Sequence, residues 1–156
     1  MLKIEIPGWK TLELENLVMD LNGTIAVDGK VSLKVAKRIF LLKPELNITV
    51  LTAGTHGRLE EVRKRLHVEI VKIEHEKEKT QKQNFIKKLG SDRTVAIGNG
   101  ANDDLMLAEA ALSIAVLEEE GLACALLRSA DLLVRDSVSA LDMLINPARL
   151  VATLRR

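Results

Sequence analysis

Apolar residues recur along the chain with two periods. Near the start they alternate: Ile4 and Ile6 are spaced by charges, Pro7-Gly8 turns the chain, and Leu12 and Leu14 alternate again, which predicts a β-hairpin. Asn16 to Leu21 reads as a short strand running into Gly23. Ile25 to Val27 leads into Asp28-Gly29, a strong tight-turn pair and so a second small hairpin. From Ser32 onward strands and helices alternate. Ser32 caps a helix carrying Leu33, Ala36, Ile39 and Phe40 at helical spacing, and Pro44 ends it. Strands are predicted at Ile48–Leu51, Val68–Ile73, Thr94–Ile97, Leu112–Val116 and Leu132–Val134. Helices are predicted over Arg58–Leu66, Thr80–Leu89 (closed by Gly90), Asp103–Ala111, Glu118–Leu127 and from Val138 to near the end.

Short, wholly apolar strands between helices mean a parallel sheet covered on both faces. The expected architecture is therefore α/β: a three-layer Rossmann-like sheet with an added N-terminal antiparallel hairpin and no cap domain. Residues 1–15 form the hairpin, 16–136 the core and 137–156 a C-terminal helical segment of one domain.

Composition narrows the partners. The chain has 156 residues, 47% of them hydrophobic and 29% charged, which fits a soluble globular domain. Lys and Arg number 23 against 22 Asp and Glu, and there are only two Phe, one Trp and no Tyr. Neither the charge surplus nor the stacking rings of a nucleic-acid binder are present. One cysteine, Cys124, excludes an internal disulfide and fits a reducing cytoplasm. Its apolar neighbours predict a buried thiol. No apolar run approaches the ~20 residues that span a bilayer, so no membrane partner is expected.

In such sheets ligands bind beyond the carboxyl ends of the strands, and polar clusters follow the strands here. They are Asp20-Leu21-Asn22-Gly23-Thr24, then Thr52-Ala53-Gly54-Thr55, then Gly98-Asn99-Gly100-Ala101-Asn102-Asp103-Asp104, with Lys79 and Lys82 opening a helix between the last two. Each has a plain reading: a turn at Asp20, a cap at Thr52, acids favouring a helix start at Asp103 and Asp104, a solvated charged face around Lys79. Together they offer a carboxylate, a hydroxyl, an ammonium and a glycine-bearing polar loop. Those are the parts phosphoryl transfer needs, since a carboxylate attacks phosphorus only where a cation cancels their repulsion.

In this order the residues resemble the haloacid dehalogenase-like hydrolase superfamily, over Leu17 to about Asp136. The likeness is strongest to the phosphorylation domain of P-type ATPases: DLNGT at 20–24 is similar to DKTGT, TAG at 52–54 to TGD, and GNGAND at 98–103 to GDGxND. The resemblance implies an Mg²⁺-dependent phosphohydrolase acting through an aspartyl-phosphate on a phosphorylated substrate. Asp20 would be the nucleophile, Thr52 would hydrogen-bond the phosphoryl group, and Lys82 would neutralise both, with Lys79 in reserve. Asn22, Gly23, Thr24, Ala53 and Gly54 would line the phosphate. Asp20, the Asn22 carbonyl, Asn99 and Asp103 would hold or adjoin Mg²⁺.

Two departures mark the chain. Asn22 stands where phosphatases of the superfamily carry a second Asp as general acid and base, so slow hydrolysis is expected, or a catalytically impaired phosphate- or metal-binding or regulatory module. Asn99 stands where a metal-binding Asp is expected. The stretches on either side of Thr52 are too short for a nucleotide-binding or cap domain, which excludes an ion pump. Capless members often act on large substrates or form homo-oligomers that cover the site. The Asp28-Gly29 hairpin resembles their flap, either packed on another subunit or simply exposed. His56 reads as a solvated residue at a helix start, with reach to a phosphate as the other reading.

Overall fold

The computed structural model describes residues 1–54 and 59–156. Strands β1 (Leu2–Glu5) and β2 (Thr11–Leu14) form the expected hairpin, with Leu2 opposite Leu14. Its alternation points Ile4, Leu12 and Leu14 into the main core.

The core sheet has six strands. In chain order they are β3 (Asn16–Asp20), β6 (Asn47–Thr52), β7 (Glu69–Lys72), β8 (Thr94–Gly98), β9 (Leu112–Val116) and β10 (Leu132–Val134). Two short strands, β4 (Ala26–Val27) and β5 (Lys30–Val31), make the flap hairpin after β3. Every pairing in the core sheet is parallel, and the spatial order is β10-β9-β8-β3-β6-β7. The chain runs outward from β3 on one side through β6 and β7, then crosses back to β8 and runs outward on the other. The β3/β8 boundary is thus the topological switch point, where a crevice opens at the carboxyl ends of the strands.

Successive residues of β3 face opposite layers. Leu17 and Met19 pack with α1 (Leu33–Leu42), α2 (Leu59–Leu66), α5 (Ser137–Ile145) and α6 (Pro147–Leu154). Val18 packs with α3 (Glu78–Leu89) and α4 (Asp104–Glu109) through Ile86, Met106 and Leu107. This is the three-layer arrangement that the strand–helix alternation predicts. Among the described residues no helix is long and apolar enough to cross a membrane.

Several local expectations are corrected. Ser32 does cap α1, accepting from the Val35 amide, but Val35, Ile39 and Leu42 face inward while Leu33 and Phe40 are exposed. A two-bond pairing of Arg38 with Asp142 ties α1 to α5 in that rotation. No helix forms over Glu118–Leu127; a turn gives way to a 3-10 segment, Cys124–Arg128. Glu118 and Gly121 both take positive φ, 41° and 90°, which a right-handed helix cannot contain. Cys124 is consequently exposed, not buried. Helix α4 is shorter than expected, a 3-10 turn at Ala101–Asp103 preceding it. Thr55, His56 and Arg58 lie outside the described residues.

Candidate functional site

Asp20 is the last residue of β3, at the switch point. Lys82 comes from α3 on the opposite layer and is 1% exposed. Its Nζ donates to Asp20 Oδ1 at 2.7 Å and to Asp103 Oδ1 at 2.6 Å. Asp103 is fully buried, and its Oδ2 accepts the backbone amides of Asn99 and Gly100, both at 3.0 Å. The loop after β8 therefore wraps its own carboxylate and presents it to the lysine. A Cβ on Gly98 would lie 2.7 Å from Asp103, so only glycine allows that approach.

Two carboxylates and one ammonium leave this buried group with a net charge of −1. Burial, and then the Asp103 charge, push the Asp20 carboxyl up to about 7, against the pull of Lys82. For Lys82, burial works against the charge, but Asp20 and Asp103 outweigh it and raise its pKa above the ordinary value. The arrangement holds an ammonium firmly and leaves one carboxylate short of positive charge.

Thr24 is fully buried beside them. Its hydroxyl lies 3.3 Å from Asp20 Oδ2 and 3.0 Å from Asn99 Oδ1. The Asn99 amide nitrogen donates to the Gly121 carbonyl at 3.1 Å, while the Ala123 amide donates to the Asn99 carbonyl at 2.9 Å. The bond to Gly121 fixes the orientation of the Asn99 amide and turns its oxygen toward Thr24. An aspartate could not make it. Gly23, at φ 77°, is required here because a Cβ would sit 2.5 Å from that amide nitrogen. The tie to residues 121–123 is a part of the site that sequence reading missed. Its signal was Gly121 inside a stretch read as helix.

The other flank is open. Asn22 is exposed. Thr52 is buried, and its hydroxyl accepts the Gly54 amide at 3.0 Å, which leaves its own proton free to donate. The Asn22 amide nitrogen and the Thr52 hydroxyl both lie close to Gly54, 3.2 and 3.1 Å from where its Cβ would be. Asn22, Thr52 and half-buried Ala53 and Gly54 thus form one polar wall.

Of the expected site residues, Asp20, Thr24, Lys82, Asn99 and Asp103 share one hydrogen-bonded cluster. Thr24 is fully buried, its hydroxyl between Asp20 and Asn99. Lys79 is not at the centre: it is half exposed and pairs with Asp104 at 3.0 Å. Together with a hydrogen bond from Asn102 to Glu78, that pair stitches the start of α3 to the loop after β8. As metal donors the described residues offer no cluster of three or more His, Cys, Asp or Glu. They offer two carboxylates with amide and carbonyl oxygens, a hard-oxygen set suited to Mg²⁺.

No protein-family model matches the chain. It is 39% identical over 92 residues to the uncharacterized protein MJ0073 of Methanocaldococcus jannaschii, covering 54% of this chain and 99% of that protein. Among solved structures it is similar to 3-deoxy-D-manno-octulosonate 8-phosphate phosphatase from Moraxella catarrhalis, determined with magnesium, phosphate and the KDO molecule. The TM-score is 0.71 at 16% identity, over 92% of this chain and 94% of that one. It is also similar to a HAD superfamily (subfamily III A) hydrolase structure from Legionella pneumophila, with TM-score 0.73 and 16% identity over 91% of this chain and 87% of that one. The chain belongs to the family of MJ0073, and it carries the haloacid dehalogenase-like fold.

Proposed function

We propose that the protein is an Mg²⁺-dependent phosphohydrolase in which Asp20 attacks a phosphomonoester and is transiently phosphorylated. The observation that carries this reading is Lys82, buried and held by both Asp20 and Asp103. The ammonium pulls Asp20 toward its anionic form against burial, although the Asp20 pKa still stands at about 7, and it offsets the charge of an incoming phosphoryl group. Asp103 fixes Lys82 in place. The Thr52 hydroxyl, already aligned by Gly54, donates to a phosphoryl oxygen.

A carboxylate oxygen of Asp20 bonds to phosphorus as the bond to the leaving oxygen breaks. Water then attacks phosphorus, releasing phosphate and restoring Asp20. Asn22 sits beside Thr52, where the leaving oxygen must gain a proton and the attacking water must lose one, and an amide neither gives nor takes one at neutral pH. Solvent supplies the first proton and accepts the second, so turnover is slow.

The net −1 charge, and an Asn99 oxygen held beside Thr24, whose hydroxyl also contacts Asp20, fit a divalent cation. Asp20, the Asn22 carbonyl and Asn99 Oδ1 would hold it, with Asp103 beside them, committed to Lys82 and two backbone amides. Mg²⁺ there supplies charge neutralisation of the phosphoryl oxygens. The magnesium and phosphate in the Moraxella catarrhalis structure support this assignment. The DLNGT, TAG and GNGAND motifs also support kinship with the phosphorylation domain of P-type ATPases, which lacks the second Asp as well.

Hydrolysis of an aryl phosphate with and without Mg²⁺, in the wild type and in Asp20→Asn, tests the reading. Slow Mg²⁺-dependent release that disappears in the variant supports it. Phosphate or metal binding with no hydrolysis in the wild type points instead to an impaired binding module on the same scaffold, which Asn22 favours.

A further inference from the structure

Beside the flap lies a second cavity, of about 520 Å³, between β5 and α2. Lys30 and Val31 line it from the flap; Glu61, Val62, Lys64 and Arg65 line it from the helix. Three cations face one carboxylate. The Arg65 guanidinium donates to the Val31 carbonyl at 2.6 Å, so its charge is anchored at the cavity wall and the flap is pinned to α2. The side chains of Lys30, Lys64 and Glu61 form no ion pair or hydrogen bond among the described residues, and each residue is exposed.

Both walls of this cavity continue from the catalytic wall. The flap leaves the site at Asn22 and Gly23, where the Gly23 amide bonds the Ala26 carbonyl at 2.8 Å. Helix α2 opens five residues after Gly54, so Leu59 lies within ~18 Å of Gly54 even along a fully extended chain. A substrate whose phosphate met Thr52 and Lys82 would leave by the open Asn22 flank, where the flap that carries Lys30 begins. The cavity volume is in the range that holds a small-molecule head group.

We propose that this cavity receives a second anionic group of the substrate, a carboxylate or a second phosphate, so that the enzyme acts on small phosphomonoesters bearing a further negative charge. The proposal rests on the phosphohydrolase reading above and adds the substrate class. Lys30 and Lys64 are its specificity-determining residues. Arg65 positions the flap against α2.

The test is calorimetric binding, in Mg²⁺, of phosphonocarboxylates with two to eight methylenes beside the matching alkylphosphonates and α,ω-bisphosphonates. Contacts with exposed lysines are modest singly, so the wild type is expected to prefer the doubly anionic ligands by about fivefold at the best chain length, less in high salt. Lys30→Glu with Lys64→Glu should erase the preference while aryl phosphate turnover is unchanged. Tightest binding by the carboxylates or by the bisphosphonates says which anion the cavity takes. Equal affinities at every chain length, or a preference that survives the double reversal, overturns the proposal. A wild type that hydrolyses no aryl phosphate overturns the phosphohydrolase reading instead, and the phosphonate affinities still decide whether the cavity binds anions.

Discussion

The two flanks of the Asp20 carboxylate are built differently. On the α3 side every charged group is buried and bonded: Lys82 bridges Asp20 and Asp103, and Asp103 takes two backbone amides besides. On the flap side stand an exposed amide, Asn22, and a loop fixed by one hydroxyl–amide bond, Thr52 to Gly54. The first flank holds and neutralises negative charge, which is what forming an aspartyl-phosphate requires. The second lacks an ionisable group at position 22, which is what breaking it quickly would require. On the proposed mechanism, the two half-reactions are separately encoded, one firmly and one weakly.

The largest effect should come from removing the shared group. Asp20→Asn is expected to lower Mg²⁺-dependent aryl phosphate hydrolysis by at least ~10³-fold while circular dichroism stays that of the wild type. Lys82→Ala strikes the firm flank. It leaves two buried carboxylates with no cation, and is expected to cost about 3–5 kcal/mol of stability in denaturant titrations along with the activity. On the weak flank, Asn22→Asp should raise kcat at saturating Mg²⁺. General acid–base help is worth ~10²–10⁴-fold in a complete site, and a graft without supporting neighbours should regain ~10-fold or more. If Lys82→Ala were neutral and Asn22→Asp inert, the contrast between the flanks would collapse.

Much of this site could be read from the chain because strand ends, glycines and short polar motifs are local features. Asp20 and Thr52 end strands and Asp103 lies in the loop after one, and parallel pairing carries strand ends to one rim. What sequence could not supply was longer-range. The bond of Asn99 to Gly121 joins segments 22 residues apart, and the acidic run before Gly121 favours a helix by propensity alone until two positive φ values forbid it. The rotation of α1 depended on Arg38 finding Asp142, 104 residues away. Choosing Lys82 over Lys79 likewise needed the helix face, since Lys79 turns to Asp104.

Smaller effects sharpen the electrostatic picture. The Asp20 pKa, about 7 in the folded protein, is raised above the ordinary carboxyl value of 3.8, so the folded state holds the extra proton between those values. Its contribution to stability is full below pH ~4 and is lost as pH rises through ~7. In Mg²⁺-free buffer Asp20→Asn should therefore be more stable than the wild type at pH 8, by on the order of 2–4 kcal/mol. The gap should close toward pH 4, as read by urea titrations at each pH. A constant gap would mean that charge crowding is not its cause. Asn99→Asp should show the smallest and most conditional change. Without metal it loses the bond to Gly121 and sets a carboxylate against that carbonyl, a cost of about 1 kcal/mol in melting experiments. With Mg²⁺ the added charge should more than restore the loss and lower the Mg²⁺ needed for half-maximal activity.

On the proposed mechanism Asp20 itself carries the phosphoryl group, and the weak second flank leaves that state long-lived enough to trap. The protein is mixed with acetyl phosphate and Mg²⁺, quenched in acid, reduced with borohydride and mapped by mass spectrometry. Borohydride converts an aspartyl-phosphate to homoserine. Homoserine at position 20, dependent on substrate and increased when turnover is slowest, is the expected result. Continued release of phosphate with position 20 remaining aspartate in every sample, or the conversion found at another carboxylate, would contradict it.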